Sequence, residues 1–236
     1  MTELLFYQDA YLKEFPATVA EARGSEVRLD RTAFYPGGGG QPRDEGEILW
    51  GEESSRLTGA RKDESGQWHL LEGAVPPAGA SVQGRLDWVR RYRLMRTHTA
   101  MHILCGVIWK QYGASVTGGN MEPLRGRMDF EFESMRQELV REIEDLINRE
   151  ISAARPVHTR SLPRQEAFAI PDLIRTKINL LPPGILEVRV VEIEGLDLQA
   201  DGGTHVGNTR EVGPMKIVDY KSKGAINKRL VVALEG

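Results

Sequence analysis

One stretch divides this chain, Asp87-Trp-Val-Arg-Arg-Tyr-Arg-Leu-Met-Arg-Thr-His-Thr-Ala-Met-His102. Four of its residues recur at helical spacing, namely Trp88, Tyr92, Met95 and Thr99, and an apolar run follows at residues 103–108. A repeat near 3.6 residues is typical of a helix with one buried face. We therefore predict a helix of about five turns that ends near Gly113.

The residues before this helix alternate between short apolar runs and turn signals. The candidate strands are residues 4–7, 18–20, 26–29, 47–50, 67–70 and 81–85. Glycine and proline separate them, most densely at residues 36–42. Several short strands at this spacing favour a small antiparallel barrel or sandwich. We predict a β-barrel-like domain at residues 1–86.

The residues after the helix combine strands with a second amphipathic helix. Ser134 and Gln137 have the spacing of a capping box, and one apolar face follows before Pro156. Strands are expected at residues 128–132, 184–193, 205–209, 216–220 and 229–234. We predict an α+β domain at residues 87–236, built from an antiparallel sheet and two main helices.

Composition restricts the class of protein. The 236 residues hold 31 Lys and Arg against 34 Asp and Glu, a net charge of −3, which argues against a generally basic nucleic-acid binder. No apolar run approaches the ~20 residues that span a bilayer, and the first residues lack the pattern of a signal peptide. Cys105 is the single cysteine. We expect a cytoplasmic protein with no membrane partner.

Three of the five histidines lie in two short segments, His98-Thr-Ala-Met-His102 and Asp201-Gly-Gly-Thr-His205. Residues four apart share one helix face, so His98 and His102 can bind one cation. His205 and Asp201 would complete a nitrogen and oxygen donor set that suits zinc. A single HxxxH is more often structural than functional. The second segment favours a metal site, because it contains no apolar residue to anchor it in a core.

The residue after the first histidine restricts the chemistry. Zinc proteases place a glutamate there as the general base, whereas this chain has Thr99, which cannot accept a proton at neutral pH. The metal site therefore points away from peptide bonds and towards a more reactive bond, such as an activated ester.

Arginine is concentrated ahead of His98. The five residues are Arg85, Arg90, Arg91, Arg93 and Arg96. The guanidinium group matches phosphate geometry, which would suit a nucleic-acid partner. A solvated helix face is the ordinary role of such a run, and the sequence favours neither interpretation.

A second motif is the loop Phe34-Tyr-Pro-Gly-Gly-Gly-Gly-Gln-Pro-Arg43. It matches no phosphate-binding glycine pattern. It could be a floppy connection, but its aromatic and proline flanks would restrain the glycines, whose N–H groups could then bind a carbonyl or phosphate oxygen. We expect a binding loop in which Gly38, Gly39, Gly40 and Gln41 close one wall of a site.

Together these segments resemble the free-standing alanyl-tRNA editing proteins called AlaX, relatives of the editing domain of alanyl-tRNA synthetase. The segments are residues 34–44, 93–102, 201–209 and 221–229, and the likeness covers nearly the whole chain. The N-terminal glycine-rich domain is similar to that of the medium-length subgroup. One position departs from the family pattern, because its second zinc motif usually begins with cysteine and this chain has Asp201. Asp201 is then either a weaker zinc ligand than thiolate or a hydrogen-bond partner of the ligands.

The resemblance implies a trans-editing hydrolase that releases serine, with glycine as a second candidate, from mischarged tRNA(Ala) by zinc-dependent hydrolysis. Zinc would be held by His98, His102, Asp201 and His205. The substrate-binding candidates are Thr32, Gly38, Gly39, Gly40, Gln41 and Thr204, and the tRNA-binding candidates are Arg90, Arg91, Arg93, Lys221 and Lys223. Two alternatives stay open: a zinc-stabilised RNA-binding module without catalysis, and a zinc hydrolase of small esters.

Overall fold

The structure is a computed structural model that describes residues 2–174 and 184–236. Within these residues the chain forms fifteen β-strands and three α-helices. It divides into two compact units, Met1–Arg93 and Leu94–Gly236. The predicted α+β class is confirmed, whereas the domain boundary between residues 86 and 87 stays a prediction.

The N-terminal unit is built around a closed antiparallel barrel. Its strands are β1 (Glu3–Leu4), β2 (Glu14–Arg23), β3 (Glu26–Leu29), β4 (Arg31–Thr32), β5 (Gly46–Trp50), β6 (Glu53–Asp63), β7 (Gly66–Gly73) and β8 (Ser81–Leu86). Six of them close the barrel in the order β2-β3-β7-β6-β5-β8, and β1 pairs with β4 outside it. The predicted barrel is therefore confirmed.

The barrel forms because its strands alternate between apolar and polar residues. In β2, Phe15, Ala17 and Val19 point inward while their neighbours are exposed. Side chains on alternate positions of a strand lie on opposite faces, so each strand gives one face to the core. Gly84 of β8 makes room for Phe15, since a Cβ there would lie 2.3 Å from the Phe15 ring.

The glycine-rich loop between β4 and β5 is held by a buried ion pair. Arg91 is fully buried, and its Nε donates to both carboxylate oxygens of Asp44 at 2.9 and 3.0 Å. Its Nη1 and Nη2 also donate to the carbonyls of Ala10 and Ala33. Asp44 in turn accepts the Tyr35 N–H at 2.6 Å. The base of the loop is thus fixed from several sides.

The glycines themselves form a tight turn. Gly38 and Gln41 exchange two backbone hydrogen bonds of 3.0 and 2.9 Å. The Tyr35 hydroxyl donates to the Gly38 carbonyl at 3.0 Å. The φ angles at residues 37–40 are 91, 133, 58 and 87°, in the region that favours glycine. The loop is an ordered turn rather than a floppy connection.

The C-terminal unit contains most of the long helix and two open antiparallel sheets. Its elements are α1 (Trp88–Tyr112, which begins in the N-terminal unit), β9 (Val116–Glu122), β10 (Arg125–Glu131), α2 (Gln137–Ser152), β11 (Val157–Pro163), α3 (Arg164–Ala169), β12 (Glu187–Ile193), β13 (Asp197–Ala200), β14 (Met215–Ser222) and β15 (Asn227–Leu234). One sheet has the strand order β14-β15-β10-β9 and the other β11-β12-β13. Among the described residues, no helix is both long and apolar enough to span a membrane.

Two local predictions for this unit are wrong. The helix α2 buries the expected apolar face, but it begins at Gln137, so Gln137 is too early in the helix for the capping box predicted with Ser134. The strand expected at residues 205–209 is also absent from the described residues. Asn208 instead caps a short 3-10 helix at Thr209–Val212, where its side chain accepts the Arg210 N–H at 2.9 Å.

A buried histidine makes the barrel sensitive to pH. His69 of β7 is fully buried beside Phe34, and neither ring nitrogen has a hydrogen-bond partner within residues 2–174 and 184–236. Burial lowers the pKa of His69 to about 4. An unfolded chain takes up this proton near its ordinary pKa of about 6.5. Stability from His69 is therefore lost as pH falls from about 6.5 towards 4 and is constant below that range.

We predict that His69→Leu removes this pH dependence. The difference in the free energy of unfolding between parent and variant should change by about 3 kcal/mol between pH 7 and pH 4, because one pKa unit corresponds to about 1.4 kcal/mol. Urea unfolding at both pH values measures it, and other titrating groups cancel in the difference. Identical pH profiles for the two proteins would contradict the prediction.

Candidate metal centre

Two histidines of α1 face the interior of the C-terminal unit. His98 and His102 are 4% and 7% exposed, and their ring centroids are 5.3 Å apart. The four-residue spacing places both rings on one helix face, as the sequence predicts.

The loop after β13 supplies the other two residues, Asp201 and His205. Arg189 of β12 fixes this loop, since its Nη1 donates to the carbonyls of Asp201 at 3.1 Å and Gly203 at 2.8 Å. The Gly203 N–H donates to Asp201 Oδ1 at 2.5 Å. The Val206 N–H donates to the Thr99 hydroxyl of α1 at 3.2 Å. These bonds hold the loop with its two donors directed at the helix.

The four predicted ligands meet in one cluster. One donor atom from each of His98, His102, Asp201 and His205 lies within 4.8 Å of the other three. Asp201 oxygens lie 3.4 Å from His98 Nε2, 4.0 Å from His102 Nε2 and 3.2 Å from His205 Nε2. Donors about 2.1 Å from a tetrahedral zinc are about 3.4 Å from one another. The residues therefore fit a small tetrahedral cation.

Asp201 and His205 are in the protonation states that metal ligands need. Burial alone would raise the pKa of Asp201, but His98 and His205 beside it hold that pKa well below its ordinary value. Burial and the neighbouring His98 lower the pKa of His205. Asp201 is thus ionised and His205 neutral near pH 7, and these are the protonation states that a metal ion requires of its ligands.

The sequence did not predict the side chains that contact the Nδ1 atoms of His102 and His205. Asp197 Oδ2 lies 2.9 Å from His102 Nδ1, and the Thr99 hydroxyl lies 3.2 Å from His205 Nδ1. Asp197 carries a sequence signal, because it precedes Asp201 by four residues along an extended segment and so shares its face.

The substrate-binding candidates lie in both units. Thr204 is fully buried beside His205, in the C-terminal unit. Thr32, Gly38, Gly39, Gly40 and Gln41 lie in the N-terminal unit, where the Thr32 hydroxyl accepts the Phe34 N–H at 3.1 Å. Their roles in substrate binding stay predictions.

The tRNA-binding candidates differ in exposure. Arg93, Lys221 and Lys223 are exposed, and Arg90 is half-buried with its Nε 3.3 Å from Glu45. The sequence suggests a phosphate contact for Arg91, but its guanidinium is buried and each of its nitrogens already donates a hydrogen bond. We therefore leave Arg91 out of the proposed tRNA contacts.

Known proteins resemble this chain over nearly its whole length. The family described as Threonyl and Alanyl tRNA synthetase second additional domain matches residues 188–231. The alanyl-tRNA editing protein AlaX-M of Saccharolobus solfataricus is 39% identical, with 98% of each chain covered. The protein of that name from Methanosarcina barkeri is 38% identical, with 99% of each covered. The alanine–tRNA ligase of Ignicoccus hospitalis is 41% identical over 93% of this chain but only 24% of the ligase.

The matches define a class of related sequences that occur both as separate editing proteins and as a segment of alanine–tRNA ligases. Within that class, the full-length coverage decides the assignment: the chain belongs to the AlaX-M family of alanyl-tRNA editing proteins. Membership confirms the resemblance seen in the sequence and the prediction of an aminoacyl-tRNA deacylase.

We predict that the cluster binds one zinc ion. Asp201→Ala and His98→Ala should weaken zinc binding more than about 100-fold, since loss of a ligand exceeds the effect of losing an outer hydrogen-bond partner. Asp201→Cys should retain zinc, because thiolate is a good ligand. Competition with a chromogenic chelator measures the affinity.

His158→Ala serves as the matched control, since His158 is exposed on β11. It should leave zinc binding unchanged. If the parent, Asp201→Ala and Asp201→Cys bind zinc equally, Asp201 is not a ligand.

Proposed function

We propose that this chain hydrolyses the aminoacyl ester of tRNA(Ala) wrongly charged with serine, with glycine as a second substrate, and that zinc on His98, His102, Asp201 and His205 is required. The observation that carries the proposal is the buried cluster of three imidazoles and one carboxylate in a chain of the AlaX-M family. The same cluster disfavours a purely structural zinc site, because such sites are rich in thiolates.

The side chains of the cluster have roles in binding and orientation. Ionised Asp201 supplies negative charge, and neutral His205 supplies a nitrogen lone pair. Thr99, directly after His98, is held by the Val206 N–H and cannot act as a strong base. A bound zinc would polarise a carbonyl oxygen or activate a water molecule. An aminoacyl ester is reactive enough to be hydrolysed without a strong general base.

Serine must be distinguished from alanine by its hydroxyl group. A site that hydrogen-bonds a hydroxyl strongly disfavours the analogue without one, because its own polar groups would be left unpaired. Thr32, Gln41 and Thr204 have the chemistry for this contact, and all three are buried. We propose them as the residues to test for specificity.

We expect the parent protein to release serine from Ser-tRNA(Ala) at least about 100-fold faster than alanine from Ala-tRNA(Ala). Loss of acid-precipitable label from each charged tRNA measures the rates, with Gly-tRNA(Ala) as a third substrate. A chelator should abolish release, and added zinc should restore it.

Two results would replace the proposal by its alternatives. Binding of tRNA with no release of any amino acid would indicate an RNA-binding module. Equal efficiency on a serine ester without tRNA would indicate a hydrolase of small esters.

The hairpin of β14 and β15 supports a contact with the tRNA backbone. The ammonium group of Lys228 is largely buried and donates to the carbonyls of Gly224 at 2.9 Å and Ala225 at 2.8 Å. These bonds fix the hairpin tip. Lys221 and Lys223 are exposed beside it and available to phosphate, although Lys221 also pairs with Asp219 at 3.0 Å. We propose that both lysines, with Arg90 and Arg93, bind tRNA phosphates.

We predict that turnover of Ser-tRNA(Ala) falls steeply as salt rises, because phosphate contacts release counterions. The double variant Lys221→Glu/Lys223→Glu should reduce the slope of log(kcat/KM) against log[salt] by about 2, one for each lost contact. Lys216→Glu reverses an exposed charge on the same strand and should leave the slope unchanged. A salt-independent rate in the parent would contradict the proposed contacts.

A further inference from the structure

The segment that leads to Asp201 places three polar side chains on one face. Asp197, Gln199 and Asp201 occupy alternate positions at and just after β13, so all three point the same way. Gly106 allows α1 to come close to this segment, since a Cβ at Gly106 would lie 3.0 Å from the Asp197 Cβ. The Asp197 carboxylate therefore lies next to α1, the helix that carries His98 and His102.

Asp197 contacts His102 on the ring nitrogen that faces away from the cluster. Its Oδ2 lies 2.9 Å from Nδ1 of His102, while Nε2 of His102 faces Asp201. Gln199 Nε2 donates to the same Asp197 oxygen at 2.7 Å and so fixes the carboxylate. Asp197 is 4% exposed, so water competes little for this contact.

This contact determines the tautomer of His102. A carboxylate can only accept, so Nδ1 must carry the proton that it donates to Asp197. The lone pair of the neutral ring is then on Nε2, directed into the cluster. The Thr99 hydroxyl beside His205 can both donate and accept, so it does not select one tautomer.

We propose that Asp197 is a positioning residue of the metal centre. It holds His102 in the tautomer with Nδ1 protonated and the lone pair on Nε2, and it adds a second carboxylate near the cation beside Asp201. The affinity part of this inference rests on the proposed zinc site, whereas the tautomer part concerns the protein alone.

The first test measures zinc affinity of the full-length chain by chelator competition. Asp197→Asn should weaken binding 10- to 100-fold, the range typical of such partners. Thr99→Val should have a smaller effect. Asp129→Asn is the matched control, because Asp129 is a buried carboxylate that pairs with Arg229 at 2.7 Å on the other sheet. That change should lower stability and leave zinc affinity unaltered.

The second test uses no metal. Nitrogen-15 NMR of the histidine rings in metal-free protein, assigned with a His102→Gln variant, should show His102 protonated at Nδ1 in the parent. In Asp197→Ala, which removes the acceptor, His102 should shift towards a mixture of tautomers. A merely structural role for Asp197 would lower stability without changing the tautomer.

The outcomes separate the two proposals. A parent that binds no zinc overturns the zinc-dependent function, and His102 protonated at Nδ1 would still support the positioning role. A parent that binds zinc, with equal affinity and an unchanged tautomer in the Asp197 variants, overturns the positioning role. His102 protonated at Nε2 in the parent overturns it whatever the zinc result.

Discussion

The structure depends on one constraint: charge that is removed from water must find a partner. An ionised carboxylate in a protein interior is costly unless it is paired and hydrogen-bonded. Asp201 meets this condition through His98, His205 and the Gly203 N–H. These partners come from α1 and from the loop after β13, and Arg189 of β12 bonds to the backbone of that loop. The same arrangement gathers the donor nitrogens of three imidazoles around one carboxylate.

The same constraint fixes the glycine-rich loop of the N-terminal unit. Asp44 and Arg91 are both buried, and together they bond to backbone groups at Ala10, Ala33 and Tyr35. Removing one partner of such a pair typically costs 3–5 kcal/mol, because the other charge is left uncompensated. The ion pair therefore fixes the position of the glycine turn rather than adding much net stability.

Sequence reasoning succeeded where the determining pattern is local. Alternating residues predicted the barrel, and the spacing of His98 and His102 predicted that they share a helix face. It failed where the outcome depends on distant packing. Arg91 looks like a surface arginine because a sequence shows residue type but not burial. Asp197 was overlooked because its partner, His102, is 95 residues away. The strand expected at residues 205–209 is not formed, because Asn208 caps a short 3-10 helix there.

Barrel closure also limits strand pairing between different molecules. Its six strands satisfy one another's backbone groups, so the barrel offers no free strand edge to a neighbouring molecule. The three-stranded sheet of the C-terminal unit is open, and β11 lies at its margin. Arg160 and Pro163 occupy that strand, and a charge and a residue without an N–H are both poor templates for a further strand. Both the closed barrel and the β11 edge of this sheet therefore disfavour strand pairing between molecules.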